Sequence, residues 1–256
     1  MKLELEGRVA VVTGASRGIG RAIVDELVAE GVKVLAGARD VSSLEGVPGV
    51  SALSVDLSTP GAPERLIHAA VDAHGGLDFL VNNVGAGRLH FTGFESISDE
   101  DWQWAFDTNF FSAVRAIRAA LPHLRARRGA IVNVSSLNGR IPAVEAPEYS
   151  ATKAALNNLS RALALELASA GVRVNVVSPG PVLTDMQLGP GGIAEQVAEE
   201  SGGSVEDYVT AVEQGVPLGR FAEPAEVAAV VVSLLSSRFG YVTGADVAVD
   251  GAVQTG

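Results

Sequence analysis

The chain has 256 residues, of which 47% are hydrophobic and 19% are charged, a composition typical of globular proteins. Its 30 acidic and 19 basic residues give a formal net charge of −11, which disfavours contact with the phosphate backbone of nucleic acids. There is no cysteine, which excludes disulfides, thiolate metal sites and cysteine nucleophiles. The first residues form no secretory signal, and no apolar run approaches the length of a membrane span. We therefore expect a soluble, cytoplasmic protein without nucleic-acid or membrane partners.

Short β-branched segments alternate with longer helical segments, which predicts an α/β fold: a doubly wound parallel β-sheet, Rossmann-like, with helices on both faces. Several strand segments are continuously apolar, as expected of strands that are covered on both sides. No linker or repeat interrupts the pattern, so residues 1–256 are expected to form a single domain. The predicted strands are Arg8–Thr13, Lys33–Ala38, Val50–Val55, Phe79–Asn82, Ala130–Ser135, Arg173–Ser178 and Asp246–Val249. The clearest predicted helices are Ile19–Glu30, Pro63–His74, Asp99–Arg127, Glu148–Ala170 and Pro224–Leu235.

The alternation breaks between the sixth predicted strand and the last predicted helix. This long segment contains glycine-rich pieces at Gly189–Gly192 and Ser201–Ser204, which suit hinges. Two short helices are predicted beside them, at Ile193–Glu200 and Val205–Gln214. Long insertions in compact domains are commonly lids over active sites. We therefore predict a substrate lid over residues 185–216, with a plain surface excursion as the alternative.

A glycine-rich turn, Thr13–Gly20, lies between the first strand and the first helix. Its spacing is G-x-x-x-G-x-G, in which Gly14 allows a tight turn, Gly18 a close approach, and Gly20 close packing of helix on strand. The helix offers free N–H groups and a positive dipole end to a pyrophosphate. The turn therefore predicts a dinucleotide site with cofactor contacts from Gly14, Ser16, Arg17, Gly18, Ile19 and Gly20.

The end of the second strand indicates which nicotinamide cofactor binds. Sites for NAD commonly hold an acid there, which bonds the ribose hydroxyls and would repel a 2′-phosphate. Here the position is Ala38, followed by Arg39, and Arg17 lies in the glycine turn. Two guanidinium groups can clamp a phosphate, so NADP(H) is the preferred cofactor and NAD(H) the alternative. Asp40 argues against NADP(H), and either arginine is alternatively a solvated surface charge.

Tyr149 and Lys153 lie four residues apart at the start of a predicted helix, which puts both side chains on one face. A free tyrosine has a pKa of about 10, and a neighbouring ammonium would lower that pKa by stabilising the phenolate. The same spacing is also that of an ordinary helical pair. Its candidate companions are Ser136, after the fifth strand, and Asn109, a polar residue in a long apolar helix. Alternatively, Asn109 is a buried amide that bonds its own backbone.

Together these motifs resemble those of the short-chain dehydrogenase/reductase family, near its β-ketoacyl-carrier-protein-reductase-like branch. The resemblance extends over essentially the whole chain. The family usually has alanine where Val84 stands, a departure that crowds the site without touching the chemistry. The matching positions are Thr13–Gly20, Asp56, Asn82–Gly85, Asn109, Ser136, Tyr149, Lys153, Pro179–Thr184 and Val242–Gly251.

The resemblance implies an oxidoreductase that transfers hydride between a nicotinamide cofactor and a ketone or secondary alcohol, chiefly in NADPH-dependent, ketoacyl-type reduction. Tyr149 would then be the general acid in reduction and the base in oxidation. Lys153 would lower its pKa and bind the ribose, and Ser136 would stabilise the substrate oxygen. Asn109 would hold a water that links Lys153 to solvent. The implied cofactor contacts also include Asp56, Leu57, Asn82, Val84, Gly85, Pro179, Gly180, Val182 and Thr184.

Several alternative functions are considered. An NAD-dependent secondary-alcohol dehydrogenase and a non-catalytic nucleotide sensor would share the fold. A serine hydrolase is disfavoured because no G-x-S-x-G sequence surrounds Ser135 and Ser136, and a nucleotide-sugar epimerase because its glycine spacing differs. No metal site is expected, because the histidines lack ligand spacing and are predicted on the surface or on helices: His68, His74, His90 and His123.

The predicted substrate pocket is mostly apolar, which favours a neutral or acyl-type carbonyl compound. A substrate carried by an acyl-carrier protein usually calls for a basic patch, for which only Arg88 and Arg140 are candidates. The family is commonly tetrameric, so a homo-oligomer, tetramer or dimer, is expected through the two longest predicted helices. The predicted pocket wall consists of Leu137, Asn138, Gly87–Phe91, Met186 and Gln187.

Overall fold

A computed structural model describes residues 2–253 and contains a seven-stranded, wholly parallel sheet within them. The strand order is β3-β2-β1-β4-β5-β6-β7. Each predicted strand is confirmed to within one residue at either end, and the predicted doubly wound α/β class is confirmed. The strands are β1 (Val9–Thr13), β2 (Lys33–Ala38), β3 (Val50–Ser54), β4 (Phe79–Asn82), β5 (Ala130–Val134), β6 (Arg173–Pro179) and β7 (Asp246–Val249).

Helices cover both faces of this sheet. On one face α1 and α9 contribute Ile23 and Val231 to the core, and on the other α2 and α4 contribute Leu66 and Ile117. The helices are α1 (Gly18–Ala29), α2 (Ala62–His74), α3 (Asp99–Phe106), α4 (Ser112–Arg127), α5 (Pro147–Leu167), α6 (Asp185–Leu188), α7 (Ile193–Ser201), α8 (Val205–Gly215) and α9 (Pro224–Leu235). Among the described residues, no helix combines the length and apolar character needed to cross a bilayer.

The first strand shows why the strand segments are continuously apolar. Successive side chains of a strand point to opposite faces, and in β1 both faces are buried. Val9 and Val11 join the core on the side of α2, whereas Ala10 and Val12 join the core on the side of α1. A polar residue at any of these four positions would lie in one core or the other, and Val9–Val12 contains none.

The predicted helix Asp99–Arg127 is not one α-helix. A π-helical segment, Asp107–Phe111, separates α3 from α4 and contains Asn109. Short π segments inside α-helices accommodate one extra residue and occur often at functional sites. The predicted helix Glu148–Ala170 begins one residue earlier, at Pro147, and its last residues form a 3₁₀ turn after Leu167.

The segment 185–216 folds into three short helices, α6, α7 and α8. The two predicted helices are confirmed, and α6 was not predicted because four residues show no helical periodicity. Helix α8 begins at a reciprocal cap, in which the Ser204 hydroxyl accepts from the Asp207 N–H and the Asp207 carboxylate accepts from the Ser204 N–H. The role of this segment as a lid remains a prediction.

The strand order reverses between β1 and β4, the point where doubly wound sheets open a crevice at the carboxyl ends of their strands. The side chain of Thr13 joins the two strand ends there. Its hydroxyl donates to the carbonyl of Val81 and accepts from the N–H of Asn83 at 2.9 Å. The glycine turn and the residues after β4 therefore form adjacent walls of one crevice.

Candidate active site

A cleft of about 650 Å³ opens at the carboxyl ends of the strands on both sides of this crevice. Three of the four predicted catalytic residues line it, namely Ser136, Tyr149 and Lys153. Every predicted cofactor residue except Asn82 lines it as well: Gly14, Ser16, Arg17, Gly18, Ile19, Gly20, Arg39, Asp56, Leu57, Val84, Gly85, Tyr149, Lys153, Pro179, Gly180, Val182 and Thr184.

The glycine turn requires residues without a Cβ. Gly14 and Gly18 have φ angles of 63° and 53°, in the left-handed region where glycine has no steric cost. A Cβ on Gly20 would lie 2.0 Å from the carbonyl oxygen of Gly14, which leaves no space for any side chain. The turn therefore presents bare backbone and the free N–H groups of α1, a cradle that fits a pyrophosphate.

Replacing Gly20 with alanine is expected to lower the thermal midpoint and weaken nucleotide binding together. The new methyl group would collide with backbone, and such overpacking typically costs about 1–3 kcal/mol. Thermal unfolding and fluorescence titration with NADPH measure both effects. Gly215→Ala is the matched control, because a Cβ there has no atom within 4 Å. Equal behaviour of the two variants would contradict the packing role of Gly20.

The structure corrects the predicted place of Asn82. Its side chain is buried and donates to the amide of Asn133, its register partner in β5, instead of facing the cleft. The next residue lines the cleft: the Asn83 amide donates to the carbonyls of Thr13 and Gly14 at 3.1 and 3.0 Å. Asn83 thus fixes the glycine turn to the end of β4, a function that the sequence did not reveal.

The end of β2 carries positive charge and hydroxyl groups. Arg39 lies near Asp56 and helps to hold the pKa of that carboxyl below its usual value, after the hydrogen bonds from Ser58. Asp40 accepts a hydrogen bond from the N–H of Ser42, so its carboxylate is occupied in its own turn. Arg17 forms an exposed ion pair with Asp185 at 3.3 Å. Exposed pairs contribute little free energy, so this guanidinium remains available to an anion.

Ser136 and Tyr149 both line the cleft. Ser136 follows β5 and caps a 3₁₀ turn by accepting from the N–H of Asn138 at 3.1 Å. Tyr149 is the third residue of α5. Burial raises the pKa of Tyr149, and the nearby Ser136 side chain acts in the opposite direction without cancelling that effect.

Lys153 lies one turn after Tyr149 and is buried. Its ammonium donates to the carbonyl of Val134 at 3.1 Å, and its Nζ is 5.6 Å from the centre of the Tyr149 ring. Burial lowers the pKa of Lys153 to about 8. Burial moves the pKa of Tyr149 upward, in the direction opposite to the lowering that is predicted for Lys153; that role of Lys153 remains a prediction.

Asn109 lies behind the cleft, at the centre of the π-helical segment. Its Nδ2 donates to the carbonyls of Ala105 and Ala86, and its Oδ1 accepts from the N–H of Ala86 at 2.9 Å. The bond to Ala105 is the local backbone bond that was considered as an alternative. The two bonds to Ala86 fix the chain after β4. A water held by Asn109 remains a prediction.

Other predicted residues take different places. Asn138, Met186 and Gln187 line the cleft, but Leu137 and Gly87–Phe91 do not. Trp104 and Thr108 line it without having been predicted. The described chain contains no group of side chains arranged to bind a metal.

Both candidate arginines of a basic patch are occupied. Arg88 pairs with Asp101 and stacks 4.1 Å from the centre of the Trp104 ring. Arg140 pairs with the buried carboxylate of Asp246. Neither guanidinium therefore forms an unpaired positive surface at the mouth of the cleft.

Comparison with known proteins identifies the family. A family profile described as enoyl-(acyl carrier protein) reductase matches residues 14–253. The chain belongs to the short-chain dehydrogenase/reductase family. The chain is an oxidoreductase, like the reductases and dehydrogenases that it matches.

Two curated relatives in the family match nearly the whole chain. A 3-oxoacyl-acyl-carrier-protein reductase of Vibrio cholerae is 34% identical over 98% of this chain and 99% of its own. A 3-alpha-(or 20-beta)-hydroxysteroid dehydrogenase of Mycobacterium bovis is 37% identical over 100% of this chain and 93% of its own.

Two solved structures from the family share the fold closely. L-Sorbose reductase of Gluconobacter frateurii, solved with NADPH and L-sorbose, has a TM-score of 0.89 at 34% identity and 98% coverage of both chains. Ligand-free aldohexose dehydrogenase of Thermoplasma acidophilum has a TM-score of 0.88 at 29% identity, covering 100% of this chain and 97% of its own.

Proposed function

We propose that this enzyme transfers hydride between NADP(H) and the carbon of a ketone or secondary alcohol. The observation that carries the proposal is that Ser136, Tyr149 and Lys153 line the same cleft as the glycine turn. The cofactor, when bound, supplies or accepts the hydride. The protein's own residues supply the proton and the hydrogen bonds that hydride transfer requires.

In reduction, the substrate oxygen gains negative charge as hydride reaches its carbon. Ser136 stabilises that charge by hydrogen bonding, and Tyr149 donates a proton to the same oxygen. The raised pKa of Tyr149 keeps the phenol protonated at neutral pH, which favours reduction in that range. Lys153 donates to the ribose and, when protonated, stabilises the phenolate that remains. Oxidation of an alcohol uses the same groups in reverse.

The choice of NADP(H) is supported by the end of β2, where Ala38 offers no carboxylate and Arg39 lines the cleft. Arg17 and the hydroxyls of Ser42 and Ser43 face the same space. The sorbose reductase neighbour was solved with NADPH, which agrees with this choice. An NAD-dependent secondary-alcohol dehydrogenase is the alternative.

Arg39→Ala is expected to raise the KM for NADPH about tenfold or more while changing the KM for NADH much less. The variant loses a charge-assisted bond to the 2′-phosphate, which NADPH carries and NADH lacks. Steady-state kinetics with both cofactors measure the ratio. The variant Arg65→Ala removes a positive charge from α2 outside the cleft and serves as control. Equal effects of Arg39→Ala on both cofactors would refute the phosphate clamp.

The substrate is proposed to be a free carbonyl compound, including a ketoacyl thioester, and not an acyl chain delivered by an acyl-carrier protein. Arg88 and Arg140 are both paired with carboxylates, so neither offers an unpaired charge for a carrier protein to dock on. Residues 185–216, which contribute to the cleft wall, carry acids and no lysine or arginine. The resulting negative field opposes anionic substrates. The acids are Asp185, Glu195, Glu199, Glu200, Glu206, Asp207 and Glu213.

The decisive experiment is a turnover assay with both cofactors on neutral cyclic ketones, sugars and one acetoacetyl group carried three ways. The carriers are N-acetylcysteamine, which is neutral, coenzyme A, and acyl-carrier protein. We expect turnover with neutral compounds and a kcat/KM for the carrier-protein thioester far below that of the neutral thioester. Preference for the carrier protein would overturn the substrate proposal. Nucleotide binding without turnover of any compound would favour the sensor alternative.

We also propose a homo-oligomer, tetramer or dimer, located in the cytoplasm. Leu165 on α5 is 83% exposed and Phe111, just before α4, is 37% exposed, so the two longest helices carry apolar side chains on their surfaces. Such surfaces are commonly buried between subunits. Light scattering is expected to show an oligomer, and Leu165→Glu is expected to shift it toward a smaller species. A stable wild-type monomer would refute this proposal. The cysteine-free composition agrees with a reducing compartment.

A further inference from the structure

A strip of backbone, Gly85–His90, passes beside the ring of Tyr149 and is fixed at both ends. At its first end, the amide of Asn109 binds both the N–H and the carbonyl of Ala86. In its middle, a Cβ built on Gly87 would lie 3.4 Å from the Cγ and Cδ2 atoms of Tyr149, so the strip lies close to the ring. The position of this ring therefore depends on what holds the strip.

The second end of the strip is fixed by His90, which was predicted on the surface or on a helix but lies in a loop and is largely buried. Its backbone N–H donates to the carbonyl of Glu145 at 2.8 Å. Its Nε2 is 3.4 Å from Oε1 of Glu148, and the two side chains are 13% and 1% exposed. Glu148 directly precedes Tyr149 in the first turn of α5.

Glu148 is an acid whose burial requires an explanation. Removing a carboxylate from water costs several kcal/mol unless a partner compensates. Within the described chain, neither of its oxygens accepts a hydrogen bond that satisfies the geometric limits. The compensating groups are the imidazole of His90 and the positive end of the α5 dipole. Neither His90 nor Glu148 has a part in the mechanism above, and neither lines the cleft.

We propose that His90 and Glu148 form a buried imidazole–carboxylate clamp that positions the Tyr149 ring by holding the strip Gly85–His90 beside it. The clamp is the counterpart of Asn109 at the other end of the strip. His90 and Glu148 are positioning residues, and their effect on the reaction rests on the proposed function. Misplacing a reacting group by about 1 Å can cost about 100-fold in rate, so a weakened clamp lowers kcat and spares nucleotide binding.

The test is a double-mutant cycle on kcat with NADPH and whichever ketone gives turnover. His90→Gln removes the imidazole and Glu148→Gln removes the carboxylate, and each keeps a polar group of similar size. Each is expected to lower kcat by about tenfold with an unchanged KM for NADPH, and the double variant is expected to lose no more than the worse single one. Glu145→Gln is the matched control, because Glu145 bonds His90 through its backbone carbonyl, which this change keeps. The clamp would be refuted if the two losses multiplied in the double variant, or if kcat were unchanged in the single variants.

Hydrogen exchange separates failure of the clamp from failure of the proposed function. The amides of Ala86 and His90 are bonded in the strip, so their exchange reports on it without any turnover. Both glutamine variants are expected to exchange at least several-fold faster in the peptide 85–91, with wild-type exchange in β5. Unchanged exchange in that peptide refutes the clamp, even if no substrate is found. If one variant exchanges faster throughout the chain, the other variant provides the test, since either single change removes the same contact between His90 and Glu148.

Discussion

Replacing Tyr149 with phenylalanine is expected to lower kcat for ketone reduction by about 10³-fold while leaving the dissociation constant for NADPH within about threefold of the wild type. General acid catalysis typically contributes about 10²–10⁴-fold, and phenylalanine removes only the hydroxyl that supplies the proton. The ring remains to contact Gly87. Stopped-flow measurement of NADPH oxidation, together with fluorescence titration of the nucleotide, separates the two effects.

The control for this prediction is Tyr241→Phe, because Tyr241 is fully exposed and away from the cleft. The wild-type pH profile gives a second check. The raised pKa of Tyr149 means that the base needed for alcohol oxidation forms only at high pH, so oxidation should accelerate as pH rises above neutrality. Reduction, which needs the protonated phenol, should not. If the Tyr149→Phe variant kept the wild-type kcat, Tyr149 would not be the proton donor and the mechanism would be refuted.

Replacing Lys153 with methionine is expected to abolish most activity and, at the same time, to stabilise the protein at neutral pH. Lowering the pKa of Lys153 from 10.5 to about 8 corresponds to a burial cost of about 3 kcal/mol for the charged form. Methionine has no charge to bury but loses the bond to Val134, worth about 1 kcal/mol. The net gain of about 2 kcal/mol should raise the thermal midpoint by several degrees.

The stability difference between Lys153→Met and the wild type depends on pH. Between pH 8 and 10.5 the unfolded chain holds the lysine proton and the folded chain releases it, so the wild type gains stability as pH rises through this window. The advantage of Lys153→Met should therefore be full at pH 7 and largely gone at pH 10.5. Denaturant unfolding of both proteins at these pH values measures it. A variant less stable at pH 7 would contradict the burial cost.

The strands of the sheet could be predicted closely because each one is specified by a short stretch of sequence. A strand covered on both faces favours a continuous apolar run, and β1 and β2 are recognisable by their runs Val9–Val12 and Val34–Ala38. The glycine turn and the Tyr149–Lys153 spacing are likewise short patterns with one steric or electrostatic reason each. The resemblance to a family then connected residues that lie far apart in the sequence, such as Asn109 and Ser136.

Other features depend on contacts that no local pattern records. Two asparagines follow one another at the end of β4, and alternation along extended backbone sends Asn82 into the core and Asn83 into the cleft. The sequence therefore predicted Asn82 at the cleft, where its neighbour Asn83 lies. The pKa of Tyr149 depends on burial as well as on its neighbour, and the spacing of Tyr149 and Lys153 carries no information on burial. His90 and Glu148 pair through tertiary structure only.

The π-helical segment Asp107–Phe111 also sets the angular phase between α3 and α4. One residue advances a regular α-helix by about 100°, and the wider π turn absorbs one extra residue, so α3 and α4 keep the relative phase of a regular helix that is one residue shorter. With the extra residue absorbed in this way, Trp104 lines the cleft while Ile117 lies in the core on the side of α2 and α4. Regularising this turn at the present chain length would rotate Trp104 by about 100° relative to Ile117 and away from the cleft. A regular helix here is therefore compatible with the position of Trp104 only if one residue is removed.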